Sequence, residues 1–84
     1  MSTAEDRREE IIQTILELLA PYNKEGVELK ADTAISADLN IDSADVLNFV
    51  MEVEDAFDID IPVNDLSDVH TVSDLANLVM ERTR

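Results

Sequence analysis

Ser43 is the residue best placed to do chemistry. It follows Asp42 and opens the stretch Ser43-Ala-Asp-Val-Leu-Asn-Phe-Val-Met-Glu-Val-Glu-Asp-Ala-Phe57, which has helical spacing of its apolar residues. A serine at a loop-to-helix junction ordinarily acts as an N-cap, its oxygen accepting an N–H of the first turn. The same placement leaves the hydroxyl reachable by a modifying enzyme. A phosphodiester formed there would sit at the positive end of the helix dipole, which favours an anion. His70 is the only histidine. No Gly-x-Ser-x-Gly elbow surrounds any serine, and a chain with a single glycine has no glycine-rich segment for an oxyanion hole. His70 is therefore expected to be structural or solvated. Asp38-Leu-Asn40-Ile-Asp42 matches the first three ligand positions of a calcium-binding loop. It then puts Ser43 where the sharp turn needs Gly and Phe49 where a bidentate Glu is required. No specific metal site is expected, only loose divalent binding by clustered carboxylates. Among 20 Asp and Glu some close pair is inevitable, so their presence is no argument for acid–base catalysis. So small a chain leaves little volume for a catalytic pocket, and it reads as a non-enzyme.

The elements that must position Ser43 belong to one small domain, residues 1–84. The chain has 84 residues, with 6 Lys and Arg against 20 Asp and Glu, a net charge of −14. Its 45% hydrophobic content is too high for a disordered acidic tail. Nucleic acid and anionic membrane are disfavoured, because both require basic residues to meet phosphate. A basic protein surface is the natural partner. There is no cysteine, which suits a reducing cytosol and excludes disulfides and thiolate chemistry. The charged start, Met1-Ser-Thr-Ala-Glu-Asp-Arg-Arg8, does not read as a signal peptide, and no apolar run approaches the length of a membrane span.

Hydrophobic spacing predicts a first helix over about residues 4–20. Thr3 is a weak cap, Ile11, Ile12, Ile15, Leu16 and Leu19 form the buried stripe, and Pro21 is the stop. Residues 21–40 lack periodicity, so a long loop is expected, turned at Gly26 and pinned to the core by Val27, Leu29, Ile35 and Leu39. A second helix runs from Asp42-Ser43 to Phe57. A short third piece over about 64–69 is introduced by Pro62. Thr71-Val-Ser-Asp74 resembles a capping box for a last helix with the stripe Val72, Leu75, Ala76 and Val79. Asp58-Ile-Asp-Ile61 alternates but has no partner strand.

Charge is unevenly spread. From Ala31 to Glu81 there is no Lys or Arg, while Asp32, Asp38, Asp42, Asp45, Glu52, Glu54, Asp55, Asp58, Asp60, Asp65, Asp68, Asp74 and Glu81 all fall there. Such a stretch cannot form salt bridges within itself, repels itself and points to an external need for the charge. In the second helix Phe49, Val50, Val53 and Phe57 make the core stripe, yet Val46, Leu47 and Met51 are apolar too. Either that helix is buried on two sides, or it presents an apolar patch with an acidic rim to a partner, where a flexible methionine is well suited.

Residues 35–62 resemble the core of acyl carrier proteins. The resemblance rests on an ordered set: Asp38-Leu39, Asp42-Ser43, Phe57, Ile61-Pro62 and Thr71-Val72, spanning about Glu10 to Met80. It implies an all-α fold, a small four-helix bundle with three longer helices, one short helix and a long first loop. It implies that Ser43 carries a 4′-phosphopantetheine arm, transferred from coenzyme A by a holo-carrier synthase (a phosphopantetheinyl transferase) using magnesium. The arm's thiol would hold acyl groups as thioesters. Asp42 would present Ser43 to the synthase, and Asp45, Leu47, Met51, Glu54 and Asp55 would form the docking face for acyl-transfer and condensing enzymes with basic patches. The expected protein is a monomeric, cytoplasmic, free-standing carrier of fatty-acid or specialised lipid biosynthesis. Three departures, Asn40 for the usual Gly, Ala44 for Leu and Asn48 for an acid, look more like a specialised carrier than the housekeeping one. Asn at position 40 is the next-best residue for a left-handed turn. An aliphatic core whose only aromatics are Tyr22, Phe49 and Phe57 could open between helices to admit an acyl chain. The alternatives are a peptidyl or aminoacyl carrier, with the same fold and serine, and an acidic interaction module that mimics nucleic acid and needs no prosthetic group.

Overall fold

The computed structural model describes residues 3–83, with side chains from Asp6 to Thr83. Four helices follow in order: α1 (Thr3–Leu19), α2 (Ser43–Phe57), α3 (Val63–Leu66) and α4 (Val72–Arg82). Among the described residues there is no strand, only an isolated antiparallel bridge between Ala34 and Thr71. The fold is the four-helix arrangement the sequence implies, with three long helices, one short one and a long first loop.

Pro21 ends α1, as expected, by tightening the chain into a 3-10 turn over Ala20–Tyr22. Ile11, Ile12, Ile15 and Leu19 are buried along α1, which packs mainly against α4. The cap expected at the Thr3 side chain lies outside the described side chains. On α4 the buried residues are Val72, Leu75, Ala76 and Val79, the predicted stripe. Its capping box is formed: Asp74 N–H donates to Thr71 Oγ1 at 3.1 Å, and Thr71 N–H donates to Asp74 Oδ2 at 3.2 Å. These exchanges satisfy helix-start donors that otherwise lack partners.

Phe49, Val50 and Val53 of α2 complete the core; Phe57 is half-buried rather than buried, because the helix ends there. Tyr22 covers Phe49 edge-on, ring centroids 6.0 Å apart, and donates its hydroxyl to Glu52 at 2.5 Å. That bond to a carboxylate acceptor, followed by loss of solvent and the Glu52 charge, raises the Tyr22 pKa.

The first loop is wired to the start of α4. Ile35 N–H donates to His70 O at 2.9 Å, Val72 N–H to Thr33 O at 3.0 Å and Ser73 N–H to Ala31 O at 2.7 Å. Ile35 and Leu39 are buried as anchors, while Val27 and Leu29 are half-buried. Thr33 is buried with its hydroxyl accepting Lys30 N–H at 2.7 Å. The long connection is thus strapped to the start of α4 before it leads into α2.

The ion pair that the acidic stretch makes among the described residues comes from outside it: Arg82, just beyond its end, reaches back to Asp65. The exposed Lys30–Glu28 pair at 3.8 Å is the other ion pair among the described residues, and pairs so exposed contribute little.

Candidate functional site

The start of α2 is set by three consecutive local decisions. Asn40 takes a left-handed conformation, φ 52°, which Asn tolerates better than other side chains. Asp42 is extended, φ −84° and ψ 173°, and its carboxylate accepts the Asp45 N–H at 2.9 Å. Ser43 is the first helical residue and is exposed. The N-cap is therefore Asp42, not Ser43 as the junction suggested. Asp42 has the cap geometry, which releases the serine hydroxyl from that duty. The N–H groups of the first helical positions have no intrahelical acceptor, so an anion on Ser43 would meet both free donors and the positive end of the dipole. Asp38, a residue of the rejected calcium-loop pattern, uses its carboxylate to accept Ala34 N–H at 2.9 Å.

Ser43 also lines an open groove of about 560 Å³. Its apolar walls are Val46 and Leu47 of α2 and Val63 and Leu66 of α3. Val69, Ser67, Ser36 and His70 complete the lining. An accessible hydroxyl beside an apolar trough fits a flexible, covalently tethered arm. The groove residues beyond α2 were not legible as a site. The signal available was Val63, an apolar residue set directly after Ile61-Pro62 and 71% exposed.

The expected docking residues separate into a centre and two flanks. Leu47 and Met51 are 47% and 63% exposed, and Asp55 is exposed beside them. Glu54 is half-buried, and its carboxylate accepts the Ile61 N–H at 2.7 Å, tying the exit of α2 to the following segment. Asp45, half-buried, stands about 120° around the helix from Met51 at 100° per residue. It lies close enough to Tyr22 to help raise that hydroxyl's pKa. The structure therefore brings Leu47, Met51 and Asp55 together and turns Asp45 and Glu54 toward opposite edges. The two-sided burial reading fails for Leu47 and Met51 and holds only for the half-buried Val46.

Comparison with known proteins identifies the family and the fold. Residues 9–79 match the family described as "Phosphopantetheine attachment site". A probable acyl carrier protein of Caulobacter vibrioides is 46% identical over 59 residues, 69% of each chain. The acyl carrier protein of Rickettsia typhi is 32% identical over 82 residues, 98% of this chain and 92% of that one. Among solved structures, the acyl carrier protein from Enterococcus faecalis superposes with a TM-score of 0.75 at 28% identity, covering 89% of this chain and 96% of that one. The chain belongs to the phosphopantetheine-bearing acyl carrier protein family. Its prosthetic group is 4′-phosphopantetheine and its role is that of an acyl carrier. No helix among the described residues is long and apolar enough to cross a membrane.

Proposed function

We propose that Ser43 is the attachment point of the arm and that the exposed face of α2 delivers the carried acyl group to partner enzymes. The observation that supports this reading most directly is the exposed Ser43, relieved of capping by Asp42 and set in the wall of an apolar groove. When bound, the arm supplies a terminal thiol that holds acyl groups as thioesters. The chain's own residues do the rest. Asp42 fixes the helix start and so the direction in which Ser43 is offered to a holo-carrier synthase. Asp55, with Asp45 and Glu54 on the flanks, attracts basic patches of the synthase and of acyl-transfer and condensing enzymes. Leu47 and Met51 then supply apolar contact after encounter. In this reading residues 1–84 form a single, non-catalytic, monomeric carrier domain of the cytoplasm, serving fatty-acid or specialised lipid biosynthesis.

Co-expression with a synthase should add the mass of one phosphopantetheine, and Ser43→Ala should abolish it. A full mass shift surviving in the alanine variant would sink the assignment. For the face, Asp55→Lys should slow association with the synthase, the defect shrinking as salt screens it over about 8–10 Å. Met51→Ala should instead speed dissociation. An association rate untouched by charge reversal at Asp55 and Asp45 combined with Glu54→Gln would contradict steering by this face.

A further inference from the structure

We propose that the His70 imidazole is the polar contact that holds the phosphopantetheine arm in the groove between α2 and α3, an inference that rests on Ser43 as the attachment point. His70 and Ser43 line the same groove, whose other walls are mostly aliphatic. A phosphopantetheine arm is not aliphatic: it carries a phosphodiester and amides, which must keep hydrogen-bond partners when they leave water. The polar side chains available to it are few. Ser67 already donates its hydroxyl to Asn64 O at 2.8 Å. Ser36 is short and sits on the exposed loop. His70 is long and rigid, and it is the only side chain lining the groove with an N–H to donate.

The backbone of His70 is held from both sides. Its carbonyl accepts Ile35 N–H at 2.9 Å, and its own N–H donates to Asp74 Oδ2 at 3.1 Å. Its ring, in contrast, is exposed and has no hydrogen-bond partner among the described residues. A fixed backbone with an uncommitted ring beside a tethered ligand is the arrangement of a binding side chain rather than a packing one.

The test uses full-length protein co-expressed with a synthase and checked by intact mass for one phosphopantetheine on Ser43. In isotope-labelled holo protein, nuclear Overhauser contacts are expected between the arm and the His70 ring, alongside contacts to Val46 and Leu66. His70→Ala should raise the fraction of undocked arm about two- to ten-fold, the worth of one hydrogen bond. That change is read as weakened contacts to Val46 and Leu66 and faster alkylation of the arm's thiol. His70→Gln, which keeps an N–H donor, should restore most of the docking, and Ser36→Ala should change neither readout. Arm contacts that bypass His70 in the wild-type holo protein, or contacts to Val46 and Leu66 unchanged in His70→Ala, overturn the inference while leaving Ser43 intact. Absence of the added mass, or its survival in Ser43→Ala, overturns the attachment reading and this inference with it. Should His70→Ala lose its helical circular dichroism, the contact pattern of the wild-type holo protein decides alone.

Discussion

Glu54 is the carboxylate whose removal should be felt by the fold. Its Oε2 accepts the Ile61 N–H at 2.7 Å, and Ile61 is only 5% exposed. Its backbone oxygen accepts the Ile59 N–H at 3.0 Å, so Glu54 governs the exit of α2 twice over. Glu54→Ala leaves a buried N–H without an acceptor, at a cost of about 1–3 kcal/mol. Against this, an acid in the last turn of a helix opposes the dipole by roughly 0.3–1 kcal/mol, and the substitution relieves it. The net expectation is a loss of about 1–2 kcal/mol, which in a domain of this size lowers the melting temperature by roughly 4–16 °C. Glu54→Gln keeps an oxygen acceptor, drops the charge and should stay within about 0.5 kcal/mol of wild type, its weaker bond offset by the relieved dipole. Urea unfolding followed by helical circular dichroism measures both, provided the slope with denaturant is unchanged. Equal stability of Glu54→Ala and Glu54→Gln would refute this expectation, because the acceptor then contributes nothing. The comparison also selects the proper variant for binding work: Glu54→Gln removes charge from the α2 face without unfastening its end, whereas Glu54→Lys does both.

Two further stability effects arise from backbone and cap geometry. Asp58 closes α2 in the left-handed region, φ 55° and ψ 49°, where glycine is at home. Asp58→Gly should stabilise by about 0.5–1 kcal/mol and Asp58→Ala should not, a difference visible in urea midpoints; a less stable glycine variant would contradict it. The hydrogen bonds that Asp74 accepts from the backbone of His70, and then from Thr71, hold its pKa below the ordinary 3.8. A depressed carboxylate contributes stability that is full above the unfolded pKa and is lost as pH falls through the lower folded one. The stability gap between wild type and Asp74→Asn should therefore be constant near neutrality and close below about pH 3.8; a gap that instead persists at lower pH would mean that the charge on Asp74 contributes nothing.

Features encoded by neighbours in sequence were legible. The α4 capping box needs only Thr71 and Asp74, three residues apart, and it formed as read. The left-handed turn at Asn40 was expected because the resemblance implies a glycine there and Asn is the next-best residue for it. The shift of the α2 cap from Ser43 to Asp42 marks the limit of local reading. Both residues are good caps, and the choice is made by the extended backbone of Asp42, which the loop before it imposes. The wiring of that loop to α4 is carried by backbone groups, Ile35 to His70, Val72 to Thr33 and Ser73 to Ala31, and backbone groups leave no residue-type signature. Arg82 meets Asp65 across 17 positions, a pair that only the tertiary fold brings together. The groove was hidden for the same reason: Ser43 belongs to α2, Val63 and Leu66 to α3, and His70 to the connection into α4. The short third helix, read as 64–69, in fact ends at Leu66.

The placement of the few bases explains how so acidic a chain stays folded while keeping one face charged. Arg8 of α1 donates to Asn77 Oδ1 at 3.1 Å and to Ser73, both on α4. Arg7 donates to the Thr83 backbone carbonyl at 3.3 Å, where the C-terminal end of α4 carries negative dipole. Arg82 is committed to Asp65. Each of these arginines is spent fastening α1, α3 and α4 to one another, and among the described residues no Lys or Arg pairs with a carboxylate of α2. Repulsion along α2 is thus left standing, opposed by the burial of Phe49, Val50 and Val53, each worth roughly 1.5–3 kcal/mol. This burial holds the helix while Glu52 and Glu54 are tied to Tyr22 and Ile61 and the carboxylates of Asp45 and Asp55 make no hydrogen bond among the described residues. The apolar inner stripe carries the stability of α2, and its outer charge is left facing solvent.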